Sequence, residues 1–400
     1  MLYFAPMKAY KYKLKPSARI VAVFEMWLQL LCELYNAALQ ERRDAWRMNH
    51  VSIGKKEQSA QLPAVKKERA DFARIHSQVL QETINRVDLA FQNFFRRVKQ
   101  GQTPGFPRFR SHRRYDSFTY PQSGFRLDQK ARKLHLSKIG SVKVHLSRLI
   151  EGTIKTCSIK READGWYAIF AVEEVPAVAA LAPEEAVGID VGLKTFGALS
   201  TGEQIDNPRF LRHGEAELKT AQRRVSRRAK GSARRRKAVQ LLARKHQHVA
   251  RQRRDFHFKE ARKIAVRFRL IKFEDLQIRN MARNRHLAKS ISDAGWSQFI
   301  SIVVHKAEEA GGRVEVVNAA GTSTRCSRCG RHQKMPLNVR IYRCGGCGLV
   351  IDRDHNSGIN IKERKGRTVL SSRQSVATAE EARTSRATDP ESPTKARSGA

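Results

Sequence analysis

Glu185-Ala-Val-Gly-Ile-Asp-Val-Gly-Leu-Lys-Thr-Phe-Gly-Ala-Leu199 reads as two strands joined by a tight glycine-containing turn. Val187, Ile189 and Val191 share one face by the two-residue period, and Asp190 lies on the other. Gly188 and Gly192 flank it and leave room for a large ligand. A second segment, Ile271-Lys-Phe-Glu-Asp275, points Ile271 and Phe273 inward and Glu274 outward. A third, Ile351-Asp-Arg-Asp-His-Asn-Ser-Gly358, puts Asp354 where a helix would begin, with Asp352 as a rival that spacing does not separate from it. An acid after a strand is commonly a cap or a surface charge. Three in a chain so poor in acids form a constellation of hard oxygen ligands suited to Mg²⁺ together with substrate phosphate. Two such ions ~3.5–4 Å apart can activate water and stabilise the leaving oxygen of a phosphodiester.

Charge agrees with that substrate. The 400 residues hold 78 Lys and Arg against 38 Asp and Glu, a net charge of +40. Self-repulsion on that scale calls for a polyanionic partner and argues against a metabolic enzyme for small neutral substrates. The charge concentrates in residues 217–254, a helical hairpin broken at Gly231-Ser232. Between Lys219 and Arg254 there are 15 Lys and Arg and no acid. Like charges one helical turn apart destabilise a helix unless neutralised, which points to nucleic acid.

Cys326-Ser-Arg-Cys329 and Cys344-Gly-Gly-Cys347 set two knuckles within reach of one tetrahedral zinc ion. Four thiolates leave no open position, so this zinc is structural. Gly330 and Gly348 follow the knuckles where the chain must turn sharply, and His332 reads as surface. Cys32 and Cys157 read as small core residues.

Upstream, residues 7–16 alternate and end in a proline like an edge strand. Helical patterns at Ile20–Tyr35 and Arg74–Val98 follow, then strands within 133–148 and 152–174. The region reads as all-β with helices inserted after its first strand. Aromatics and arginines interleave between Phe106 and Phe125, equally suited to base stacking or to a core beneath a solvated face. No stretch reads as long and apolar enough for a membrane span; the best, Ile20–Tyr35, is interrupted by Glu25, Gln29 and Glu33. Either Met1 or Met7 serves as the start, and no export signal is apparent, which predicts a cytoplasmic protein. The final 35 residues, 366–400, contain no aromatic and are expected to be disordered.

Gly188-Ile-Asp190-Val-Gly-Leu-Lys, Phe273-Glu274-Asp-Leu and Asp352-Arg-Asp354-His-Asn-Ser-Gly-Ile-Asn-Ile resemble the three RuvC nuclease motifs of the TnpB (OrfB) family, with the zinc ribbon between the second and third. Lys8-Ala-Tyr-Lys-Tyr-Lys-Leu-Lys-Pro, Gly105-Phe-Pro-Arg-Phe and Lys138-Ile-Gly-Ser-Val-Lys-Val resemble further family segments, so the likeness spans about 7–365. It implies an α+β multidomain protein related to type V CRISPR effectors. A wedge-like β-barrel (1–17 and 101–182) would carry a helical recognition insertion (18–100). An RNase H-like RuvC domain (183–320 and 349–365) would carry the ribbon (321–348). The resemblance selects Asp354 over Asp352, and assigns Asp190, Glu274 and Asp354 as catalytic ligands of magnesium, with manganese an alternative. Cys326, Cys329, Cys344 and Cys347 would hold one structural zinc. The family commonly has Asn-Ala-Ala after the third acid, where this chain has Asn356-Ser-Gly. The implied function is RNA-guided cleavage of double-stranded DNA beside a short motif, by a transposon-encoded monomer bound to RNA from the transposon end. The rivals are a guide-free cut-and-paste transposase, a non-catalytic RNA-guided regulator, and an unspecific basic zinc-ribbon protein.

Overall fold

The computed structural model describes residues 8–173, 186–336 and 339–370. The alternative starts at Met1 and Met7, and residues 371–400 of the expected tail, lie outside them. The chain divides into two compact units, Met1–Pro176 and Ala177–Ala400.

In the first unit β1 (Lys8–Lys15) leads into α1 (Ala18–Asn49), where the Ser17 hydroxyl accepts from the Ile20 amide at 3.4 Å and starts the helix. Helix formers such as Ala38, Leu39 and Gln40 carry α1 beyond the expected end at Tyr35, and His50 closes it at φ 52°. Three short helices, α2 (Lys55–Ala60), α3 (Leu62–Glu68) and α4 (Ala70–Ala73), precede α5 (Ser77–Lys99). Six strands follow: β2 (Ser117–Tyr120), β3 (Phe125–Asp128), β4 (Lys133–Leu136), β5 (Gly140–His145), β6 (Thr153–Glu162) and β7 (Gly165–Glu173). The sheet order is β2-β6-β7-β1-β5-β4-β3.

Three expectations change here. First, β1 is central rather than an edge, pairing antiparallel with β7 (Tyr10↔Phe170) and β5 (Leu14↔Val144). Pro16 lies just past Lys15 and breaks no ladder. Second, no ladder joins β2 to β3 among the described residues, so hydrogen bonding does not close a barrel. Side chains bridge that seam: the Tyr120 hydroxyl donates to Ser137 O at 3.0 Å, and its ring lies 6.4 Å from Phe125. Third, α1 is long and apolar enough, by length and composition, to cross a membrane. Its apolar stripe is instead core: Phe24, Trp27, Leu31 and Cys32 are fully buried, with Trp27 5.3 Å from Phe118 and Phe24 4.8 Å from Trp166. Cys157 is buried in the same core, as expected. The aromatic run divides along its length. Tyr115, Phe118 and Tyr120 are core, whereas Phe106 and Phe109 are exposed and Arg43 lies 5.5 Å over the Phe109 ring.

The second unit opens with the meander β8 (Ala186–Val191), β9 (Thr195–Leu199) and β10 (Gln204–Asp206). Helices α6 (Phe210–Ser226) and α7 (Ala233–Arg267) form the basic hairpin, followed by β11 (Leu270–Glu274). Then come α8 (Ile278–Met281), α9 (Ala288–Ala294), α10 (Trp296–Glu309) and β12 (Arg313–Val317). A small ladder, β13 (Ile341–Arg343) with β14 (Val350–Asp352), precedes α11 (Arg353–Glu363) and β15 (Arg367–Val369). The sheet runs β10-β9-β8-β11-β12-β15, with β8, β11 and β12 parallel. Val187, Ile189, Ile271, Phe273 and Phe299 fill its core. The expected disorder from 366 therefore fails at Arg367–Val369: β15 pairs antiparallel with β12 (Val314↔Val369), and Thr368 and Val369 suit an edge strand.

The hairpin's cations are not all surplus. The Arg235 guanidinium donates to Val225 O and Arg228 O, each at 2.8 Å, and so caps the C-terminus of α6. Lys245 pairs with Glu217, and Arg253 donates to Ser292 O at 2.9 Å. Arg223, Arg224, Arg227, Lys230, Arg236 and Lys237 remain as an exposed band.

Candidate active site and cysteine cluster

Asp190 and Glu274 stand at the carboxyl ends of neighbouring parallel strands. The β8–β11 register pairs Val187 with Ile271 and Ile189 with Phe273, so the two acids come next in line. That end of a parallel sheet is where α/β proteins bind ligands. Asp354 lies in the first turn of α11. What carries α11 to the sheet is a glycine contact. A Cβ built on Gly188 would lie 2.1 Å from Gly358 O and 2.4 Å from the Lys362 amide. Gly188 therefore leaves room for a helix, not for a ligand as the sequence suggested. Gly192 serves its turn, where a Cβ would meet Thr195 O at 2.8 Å. Lys272 pins the far end of α11: its buried ammonium donates to Lys362 O at 2.8 Å and Arg364 O at 2.7 Å, satisfying terminal carbonyls.

Geometry separates the rival acids. The Asp352 carboxylate is the N-cap of α11, accepting from the amides of Asp354 (2.9 Å) and His355 (3.0 Å). The Asp354 carboxylate faces the Arg340 guanidinium, both oxygens at 3.4 Å. Asp275, the neighbour of Glu274, is exposed and lies 3.6 Å from Arg367.

Burial, together with the charges of Glu274 and Asp354, pushes Asp190 up to about 8. Ser357 and Arg353 oppose that shift only in part. The Ser357 hydroxyl is wholly buried beside Asp190 and makes no hydrogen bond of normal geometry. Burial also raises Glu274, opposed by the Thr322 hydroxyl bonded to it and by Arg364. Asp190 feels the charges of the other two acids, yet the oxygens of the three do not all lie within 4.8 Å of one another, as those of a closed metal cage would. An all-oxygen donor set in which Asp190 and Glu274 are both held toward their neutral forms fits a hard divalent cation.

Among the described residues, Cys326, Cys329, Cys344 and Cys347 are the group whose ligand atoms do meet that criterion. Cys326 and Cys347 sulfurs are 3.6 Å apart, and those of Cys329 and Cys344 3.5 Å. A tetrahedron with ~2.3 Å metal–sulfur bonds has edges of ~3.8 Å, so the cluster is sized for zinc. Backbone amides of Cys347 and Gly346 pull Cys344 down to about 6, toward the thiolate a metal needs. Gly330 (φ 76°) and Gly348 (φ 72°) make the left-handed turns the spacing called for, and His332 is exposed.

Sequence reading missed Asn356 and Asn360, one turn apart on α11. Asn356 accepts from the Ser327 amide (2.9 Å) and donates to Arg325 O (2.8 Å). Asn360 donates to Thr322 O (2.8 Å) and Arg325 O (2.7 Å). Two asparagines at helical spacing were the available signal.

Residues 169–285 match the OrfB_IS605 family, described as "Probable transposase", and residues 296–361 match the Cas12f1-like TNB domain. A Streptomyces pristinaespiralis protein named "Putative RNA-guided DNA endonuclease" is 34% identical over 362 residues, 88% of each chain. The Escherichia coli K12 protein named "Putative RNA-guided DNA endonuclease InsQ" is 29% identical over 71% of this chain and 73% of its own. In fold, the chain is similar to Cas12f1 as seen by cryo-EM with sgRNA and target DNA, with TM-score 0.55 and 17% identity over 88% of this chain and 84% of that one. With a relative at 34% identity spanning nearly its whole length, this chain belongs to the TnpB family, which is related to the type V CRISPR effectors.

Proposed function

We propose that the protein is an RNA-guided DNA endonuclease of a prokaryotic transposon, acting in the cytoplasm as a monomer on double-stranded target DNA beside a short motif. The observation that carries the chemistry is the convergence of Asp190, Glu274 and Asp354 at one end of a mixed sheet, a placement that supports an RNase H-like, RuvC-type site. Bound there, two Mg²⁺ ions would supply an activated water and stabilisation of the leaving oxygen. The chain's own part is positional. Strands β8 and β11 fix two carboxylates side by side, and α11, seated by Gly188 and Gly358, brings the third. The exposed hairpin cations draw in the nucleic-acid backbone.

Expression together with the DNA flanking its gene, purification in high salt and sequencing of co-purified RNA test this reading. A discrete RNA ending in sequence from beyond the element, which directs cleavage of matching DNA, is expected. Glu274→Gln in that complex should cut at least ~10²-fold more slowly, because loss of even an outer partner of a metal ligand costs 10–100-fold. RNA affinity should be unchanged. Strand joining on element ends without RNA would favour the guide-free transposase, a reading that the matched family's description "Probable transposase" keeps in view.

The four cysteines should bind one zinc per chain. Cys344→Ser should lose that zinc, exposing Tyr342, now fully buried, to solvent. Metal analysis and tyrosine fluorescence check both. Wild-type zinc content in the variant would break the assignment.

A further inference from the structure

We propose that Thr322, at the base of the cysteine ribbon, is a positioning residue for Glu274 and links the ribbon mechanically to the acid site. The inference rests on the reading of Glu274 as a metal ligand.

Thr322 is 3% exposed, and its hydroxyl donates to Glu274 Oε1. Ala319 O, at 3.1 Å, is a second acceptor for the same proton. Fixing one carboxylate oxygen sets the rotation of the whole group and leaves Oε2 available to a cation. Thr322 is itself held from two directions. Its carbonyl accepts from Asn360 Nδ2, and that same amide group reaches Arg325 O, next to Cys326. Asn356 holds the Ser327 amide inside the first knuckle. The segment 322–327 is thus clamped to α11, which also carries Asp354, while its first residue grips Glu274 on β11. Glu274 and Asp354 are spaced through this clamp as well as through the sheet. A threonine serving only to fill space would need its methyl group; a positioning residue needs its hydroxyl.

The test uses the zinc-loaded full chain and Mn²⁺ as the probe, titrated by electron paramagnetic resonance, alongside Mg²⁺-dependent cleavage by the RNA complex. Thr322→Val keeps the shape and removes the donor; Thr322→Ser keeps the donor. The valine variant should need about tenfold more Mn²⁺ for half-saturation, a typical cost of deleting an outer hydrogen bond to a metal ligand. It should retain zinc, and the serine variant should bind Mn²⁺ like wild type. Wild-type Mn²⁺ binding by the valine variant would overturn the proposal. So would serine as weak as valine, or loss of zinc in the valine variant, which would make the residue part of the ribbon's folding. A wild-type chain that binds no Mn²⁺ at all would instead overturn the acid-site reading beneath it.

Discussion

An Asp190→Asn protein is expected to melt at a higher temperature than the wild type in metal-free buffer and to cut no DNA. Burial with the charges of Glu274 and Asp354 raises Asp190 to about 8, whereas an unfolded aspartate ionises near ~3.9. The folded-state value lies above the unfolded one. The stabilising contribution of the protonated group is therefore full below about pH 4, and it is lost as pH rises toward about 8. At pH 7 the ionisable carboxyl costs on the order of 2–4 kcal/mol relative to a neutral amide of the same shape. For a unit of this size that is roughly 5–10 °C in melting temperature. The gap between variant and wild type should widen from pH 4 to 8 and narrow when Mg²⁺ is added, because the cation favours the ionised wild type. Scanning calorimetry across that pH range decides it; a variant that melts lower at pH 7.5 without metal would sink the argument. The same linkage requires Mg²⁺ to bind more tightly as pH rises toward 8.

Gly188→Ala tests how α11 is held. Its new methyl would meet Gly358 O at 2.1 Å and the Lys362 amide at 2.4 Å, and neither is a side chain that can swing away. The helix must lift, weakening the Lys272 bonds to its final carbonyls. Overpacking of this kind typically costs about 1–3 kcal/mol, and a backbone–backbone clash belongs at the upper end. A shift of ~1 Å in Asp354 should lower cleavage by about 10²-fold, even where the protein is fully folded. Gly358→Ala is the milder companion, since its Cβ would lie 3.0 Å or more from the β9–β10 turn. Equal melting and cleavage in Gly188→Ala and wild type would mean that α11 does not rest on β8.

Local patterns were legible. The two CxxC pairs, the alternation in β8 and β11, and the break between α6 and α7 follow from spacing and period alone. Partnership across the chain was not. Gly188 was read as space for a ligand because a missing side chain does not name its neighbour, and that neighbour lies 170 residues on, at Gly358. Spacing alone does not separate Asp352 from Asp354; the family resemblance chose Asp354, and the capping bonds of Asp352 supply the physical reason. The basic run looked wholly unopposed because a carbonyl-capping arginine such as Arg235 is indistinguishable, in sequence, from one awaiting a phosphate. β15 was hidden by its brevity, since three residues in a polar context carry almost no periodic signal.

That short strand has a bearing on solubility. β12 would otherwise end the sheet with an open row of amides and carbonyls, and such a row is a template for pairing with another chain. β15 occupies it with Arg367 and Thr368, a charged and a polar residue on a strand too short to extend the sheet further. A protein cut at residue 365, where the family likeness ends, would keep Asp190, Glu274, Asp354 and every cysteine yet bare this edge to its neighbours in solution.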